Sequence, residues 1–393
     1  MKKAIFFLTI FFSVAIVADL PAQTAKKKKL AEMSVAEIEK IFETENDRLK
    51  EEKVVVLAGE MSDVFNGSMI ISRGKKMLVK TNYGYIRLYK NSSEKYRNRE
   101  DNMITFSTFF ELASVSKQFT AVAILTLVEA GKLSLDDTLR KFFPELPYHN
   151  ITIHNLLTHT SGLTDYIDFP DDVVEDEKIL IGNEQMTEIY ASRQEPVKFA
   201  PGMKFEYTNT NYILLAQIVS KVSGIPFEDY VREHVFLPAG MTNTFYISEE
   251  QRKNQFPTAI GHKRDGQIVE PHFTDGTVGD KGLYSTAEEL FLWKKAFFDD
   301  HKILSDKMRE MATTQQNRVK GKTQPTEMYG YGFRLEESAQ HGKVIYHGGL
   351  WHGFQHLFFY RPKDDLVLIF LTNWRNSAHL GKSGKIMHIL DGA

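Results

Sequence analysis

Cysteine is absent from the 393 residues. That excludes a thiolate nucleophile, disulfide bridges, Cys-ligated zinc or iron–sulfur clusters, and a lipidated N-terminal cysteine. Neither sign of charge is in surplus: 49 Lys and Arg face 51 Asp and Glu, a formal charge of −2. A chain without a basic excess has little with which to neutralise phosphates, so nucleic acid is not an expected partner. Long apolar runs are missing beyond the N-terminus. Leu366 to Leu371 is strongly apolar but only six residues long, which reads as a buried strand. No H-E-x-x-H and no G-x-S-x-G occurs, and Gly381-Lys382-Ser383 lacks the upstream glycine of a phosphate loop. Chemistry must then rest on oxygen, nitrogen, or a metal held by His and carboxylates.

What is present is ordinary globular composition, 42% hydrophobic, 12% aromatic and 25% charged, enough for a large core in one domain or two. Met1-Lys2-Lys3 precedes a 15-residue apolar run, Ala4 to Ala18, with small residues at Ala18 and Ala22. This layout predicts a secretory signal over residues 1–22, cut after Ala22, with retention as an anchor the alternative. The run falls short of the roughly 20 apolar residues a spanning helix needs. An exported product, periplasmic or secreted and without stable membrane insertion, is the expectation. Residues 23–52 read as a tail and an amphipathic helix (34–52), and 53–390 as the main domain.

Within that domain the hydrophobic period changes twice. Gly67 to Ser72 and Met77 to Ile86 read as strands joined by a turn at Arg73-Gly74-Lys75-Lys76. Asn91 to Asn102 reads as a charged loop. Ser114 to Ala130 is apolar nearly all round and closed by Gly131, a buried helix. Leu135 to Leu139 and Thr152 to Thr158 read as short helices, Asp165 to Glu188 as an acidic surface excursion, and Asn211 to Val222 as a second buried helix. Thr286 with Glu289 predicts a capping box opening a helix over 287–297. The end returns to strands at 343–347, 354–361 and 366–372, separated by Gly348-Gly349 and by Pro362 to Asp365. Strands at both ends with helices between predict an α+β fold, with one antiparallel sheet from about 65–110 and 340–390 and a helical insertion over about 114–280.

Ser114-Val115-Ser116-Lys117 carries the chemistry. Serine and lysine at i, i+3 share a helix face, and a lysine in a dry pocket can take or polarise the serine proton. The same spacing at Ser72–Lys75 and Ser92–Lys95 falls in a turn and a charged loop, where nothing desolvates the amine. Tyr207-Thr208-Asn209 precedes the second buried helix, where a phenol near cations can act as a base and an amide can hold a carbonyl. His347-Gly348-Gly349 ends a strand; it offers close backbone approach and N–H groups to an oxyanion, or else forms a hairpin turn.

Together with Leu156 to Leu163, Phe205 to Tyr212, Gly240 to Thr244 and Gly282 to Thr286, these segments resemble the serine β-lactamase and penicillin-binding superfamily. The likeness is to the class C β-lactamase, D-Ala-D-Ala carboxypeptidase and esterase branch, and it runs from about Phe65 to Asn373. The resemblance implies an α/β sandwich with the active site between sheet and helical region, no cofactor and no metal. It implies Ser114 as acylated nucleophile, Lys117 as its activator, Tyr207 as general base and leaving-group acid, and Asn209 as substrate-amide anchor. His347 takes the place of a Lys or His, and the backbone at Gly349 and Leu350 lies beside the substrate, with the N–H groups of Ser114 and Leu350 as oxyanion hole. The substrate is then a small molecule or peptide carrying an ester or amide.

The sequence also departs from that pattern. No K-T-G and no S-D-N triplet occurs, Gly348 stands where a Ser or Thr is common, and Lys281 before Gly282 is atypical. The missing hydroxyl disfavours efficient β-lactam hydrolysis. A true class C-like β-lactamase, a carboxypeptidase and a non-catalytic penicillin-binding sensor stay open as alternatives. So does a metal hydrolase built on His341, His347, His352 and His356 or on His154 and His159, although a Gly turn between the last members of the first cluster would splay them. Oligomeric state is open.

Overall fold

The computed structural model describes residues 35–88, 100–170, 173–174, 179–246, 258–319, 327–339, 341–376, 385–386 and 390. The expected signal over 1–22 lies outside them, as does most of the expected loop after Asn91. The chain divides into two units, Met1–Val56 with His388–Ala393, and Leu57–Met387. The first holds most of helix α1 (Val35–Gly59), which runs past the expected end at residue 52. Everything below concerns the second. Among the described residues no helix is long and apolar enough to cross a membrane.

The strands in chain order are β1 (Gly67–Arg73), β2 (Lys76–Tyr83), β3 (Phe110–Glu111), β4 (Phe245–Tyr246), β5 (Leu283–Ser285), β6 (Met328–Tyr329), β7 (Arg334–Ser338), β8 (Gly342–Trp351), β9 (Phe354–Arg361) and β10 (Leu366–Thr372). Seven form one sheet in the order β2-β1-β10-β9-β8-β7-β6, with every neighbouring pair antiparallel. Residues from both ends of this unit therefore build the sheet, as its strand-helix-strand pattern predicts. The unbroken apolar run Leu366–Thr372 is buried at every position and lies third from the β2 edge, because a strand covered on both faces cannot alternate. β1 and β2 turn through Gly74, whose φ of +56° suits a residue without a Cβ.

Helix α2 (Lys117–Glu129) is buried at ten positions and packs on α5 (Thr210–Ser223). Between them in sequence come α3 (Ile153–Leu157), capped by the Thr152 side chain, and α4 (Asn183–Arg193). α6 (Ala287–Lys294) covers β1 and β10 on the sheet.

Several expectations are corrected. Gly348-Gly349 is not a turn: β8 runs straight through both to Trp351, paired with β9 throughout, and the chain reverses at His352-Gly353, both at positive φ. The segment 165–188 does not lie wholly on the surface. Tyr166 is fully buried, and Asn183 opens α4. The turn at 135–138 precedes a helical turn at Leu139–Phe142 instead of being one. Glu289 completes only half of a capping box. Its N–H binds the Thr286 hydroxyl at 3.2 Å, while its carboxylate accepts from Asn243 N and Thr244 Oγ1. The short sheet β3-β5-β4 inside the helical region was not legible, since strands of two or three residues carry no period.

Candidate active site

Ser114 does not open an α-helix; it lies in a 3₁₀ turn, Ala113–Ser116, that feeds α2 at Lys117. With three residues per turn, positions i and i+3 eclipse, and Lys117 Nζ stands 3.1 Å from Ser114 Oγ. The other ammonium protons reach Asn209 Oδ1 at 2.7 Å and the Asp280 carbonyl at 2.9 Å. Three donors thus meet three acceptors in a fully buried place. Burial lowers the Lys117 pKa to about 8, against the opposing pull of Asp280 and Asp165. A neutral amine would donate to Asn209 and Asp280 and accept the serine proton on its lone pair.

Asn209 is held at both ends. Its amide nitrogen donates to Asp165 Oδ2 at 2.8 Å, as does its backbone N–H at 3.0 Å. One further N–H and one lone pair stay available to a substrate. Burial raises the pKa of Asp165.

The Tyr207 ring lies on His159, centroids 4.2 Å apart, with Lys117 Nζ and the Arg334 guanidinium each 5.0 Å from its centroid. Its hydroxyl is buried and has no partner of hydrogen-bond geometry among the described residues. Ser114 and Arg334 favour the phenolate, but burial outweighs both and pushes the phenol up. Tyr207 is a neutral phenol here.

His347 is fully buried and uncharged. Its Nδ1 donates to the Gly348 carbonyl at 2.7 Å, so Nε2 accepts from Tyr329 Oη at 3.0 Å. Burial, with Arg334 and Lys117 nearby, holds its pKa well below the usual value. Positive charge at this lip comes from Arg334 instead, paired with the exposed Glu327. β7 begins at Arg334 opposite Tyr346, so among the described residues β8 from His347 to Trp351 has no strand partner on that side. Gly349 presses against the turn that carries Ser114: a Cβ there would sit 2.4 Å from the Leu112 carbonyl oxygen. Leu350 pairs with Gln355 and leaves its side chain exposed.

A cavity of about 450 Å³ joins Ser114, Tyr207, Asn209, His347, Gly349 and Leu350, with Arg334 and Lys281 also in its wall. Of the residues expected at the site, Lys117 alone does not line it. It stands behind Ser114. Sequence reasoning missed Arg334, Asp280, Asp165 and Tyr329, which carry no local signature. The histidines do not converge: His352 Nδ1 binds Asp275, and His356 binds the Glu111 carbonyl and the Thr372 N–H.

A cavity-lining serine backed by a buried lysine, beside an unpaired stretch of an antiparallel sheet, is the arrangement of serine hydrolases of the β-lactamase type. The β-lactamase family profile matches residues 56–387, and the chain belongs to that family. It is 29% identical over 326 residues to a penicillin-binding protein of Bacillus subtilis, covering 79% of this chain and 68% of that one. It is 29% identical over 325 residues to a β-lactamase of Yersinia enterocolitica, covering 81% and 73%. The crystal structure of a penicillin-binding protein from Bacillus halodurans superposes with TM-score 0.70 at 28% identity, covering 85% of this chain and 98% of that one.

Proposed function

We propose that this chain is an exported serine hydrolase that cleaves an ester or amide through an acyl-enzyme on Ser114. The observation that carries the reading is the Lys117 ammonium, fully buried 3.1 Å from Ser114 Oγ, with its pKa lowered to about 8. Neutral Lys117 takes the Ser114 proton as the Oγ–carbonyl bond forms. The resulting oxyanion meets the N–H groups of Ser114 and Leu350. The proton then passes from Lys117 by way of the Tyr207 phenol to the leaving group as its bond to carbon breaks. Water repeats the sequence to release the acid. Tyr207 acts as a neutral relay, since the nearby Arg334 guanidinium does not overcome its burial. Asn209 serves first to hold Lys117 and then to meet the substrate.

Gly348 leaves the strand lip without a hydroxyl for a substrate carboxylate, so esters and amides that lack one should react faster than β-lactams. A second reading has its own support. Arg334 and Lys281 line the cavity, and none of the described lining residues is Asp or Glu, which favours donors with a carboxylate, such as a peptide C-terminus. Parallel kcat/KM measurements on short-chain p-nitrophenyl esters, D-alanyl-D-alanine peptides and nitrocefin separate the cases. Esters leading supports the first reading, and peptides leading supports the second. Nitrocefin leading overturns the preference and makes the chain a β-lactamase.

A further inference from the structure

Glu111 plays no part in the mechanism above, yet it sits three residues before the nucleophile with its side chain buried. One carboxylate oxygen, Oε1, accepts two backbone N–H groups: Ala113 at 3.1 Å and Gly282 at 2.7 Å. The first belongs to the turn that carries Ser114. The second follows directly on Asp280-Lys281, whose Asp280 carbonyl receives the Lys117 ammonium. One oxygen therefore fastens both supports of the Ser114–Lys117 pair.

Two observations show that this clamp is under load. Ala113 is held at φ +49°, a left-handed conformation that a non-glycine residue adopts at a cost. Oε2 has no hydrogen-bond partner among the described residues. A glutamine would accept the same two amide bonds without burying a charge, so backbone support alone does not explain a carboxylate here. The charge itself has addressees. Lys281 favours the ionised form and Asp275 opposes it, while burial holds the pKa up at about 7. Ionised Glu111 in turn raises the Lys117 pKa and opposes ionisation of Tyr246. His356 faces it through the Glu111 carbonyl, at 2.7 Å.

We propose that Glu111 is a positioning residue that sets the Ser114–Lys117 geometry through Ala113 and Gly282 and tunes the basicity of Lys117 through its charge. This rests on the serine-hydrolase reading. The test is the second-order rate of Ser114 labelling by a fluorophosphonate, followed from about pH 5 to about pH 10, in wild type, Glu111→Gln and Glu111→Asp. Loss of the buried charge in Glu111→Gln lets Lys117 lose its proton more readily. The inflection of its profile should move to lower pH, while the plateau rate falls about tenfold because a neutral amide oxygen holds the Ala113 and Gly282 N–H groups less firmly than a carboxylate does. Glu111→Asp keeps the charge but is one methylene short of both amides. It should stay slow with the wild-type inflection, and it provides that arm of the test if Glu111→Gln does not fold. Labelling of either variant at the wild-type rate, or a slowed Glu111→Gln with an unmoved inflection, overturns the proposal. Wild type that does not label at Ser114 brings down the hydrolase reading itself, a separate outcome.

Discussion

The two walls of the cleft are built on opposite terms. On the helical wall, Ser114, Lys117 and Asn209 are locked into one another. The lysine has three acceptors for three protons, and Asn209 is tied to Asp165 behind it. Burial there moves pKa values toward chemistry, bringing Lys117 within reach of neutral pH. On the sheet wall, β8 from His347 to Trp351 has no neighbouring strand on its outer edge among the described residues and no charge of its own, since His347 is neutral and bound to Tyr329. Its cation is borrowed from Arg334. Under the proposed mechanism, reactivity is set on one side and substrate choice on the other. Changes to the helical wall should depress every reaction alike. Changes to the sheet wall should reorder substrates.

The largest effect falls on Lys117. Lys117→Ala should lower acylation by on the order of 10⁴-fold for all substrates, because nucleophile and base act as a unit. In wild type the sign of the pH dependence follows from the lowered pKa. Below about 8 the amine is protonated and cannot take the serine proton; above it the neutral form prevails, so acylation climbs through about pH 8 and levels off. Stopped-flow acylation over pH checks both, and a rate that falls across that window would erase the distinction between the walls.

Two adjacent glycines sharpen it. Gly349 backs onto the nucleophile turn, where a new Cβ would meet the Leu112 carbonyl at 2.4 Å and Ala113 Cβ at 3.2 Å. Gly349→Ala should therefore push the turn that carries Ser114 and cost about 100-fold on all substrates. Its neighbour Gly348 has room for a Cβ, which would meet only the His356 carbonyl in ordinary van der Waals contact at 3.7 Å. Gly348→Thr should fold normally and raise acylation by carboxylate-bearing β-lactams about tenfold, the worth of one charge-assisted hydrogen bond, while leaving neutral esters nearly unchanged. Kinetics on nitrocefin and a p-nitrophenyl ester read the contrast directly.

The same division explains what could be read from the sequence. The hairpin β1–β2, the buried helices and the central strand β10 were legible because their apolar periods are local and strong. The Ser114–Lys117 spacing was legible too, though the turn proved to be 3₁₀. The sheet wall was read less well. Gly348-Gly349 looks like a turn in isolation, and only pairing with β9 shows that the strand continues. Arg334, Asp280 and Asp165 reach the site from segments far apart in the chain, and Tyr329 from a strand of two residues. Nothing in their immediate neighbours marks them, because their roles exist only once the sheet has brought them together.

The most direct test of the account is the intact mass of the full chain after reaction with excess fluorophosphonate, with peptide mapping of the adduct and Ser114→Ala alongside. The account predicts a single stoichiometric adduct on Ser114 and none in Ser114→Ala. An unmodified wild type, or an adduct on any other residue that persists in Ser114→Ala, would contradict it.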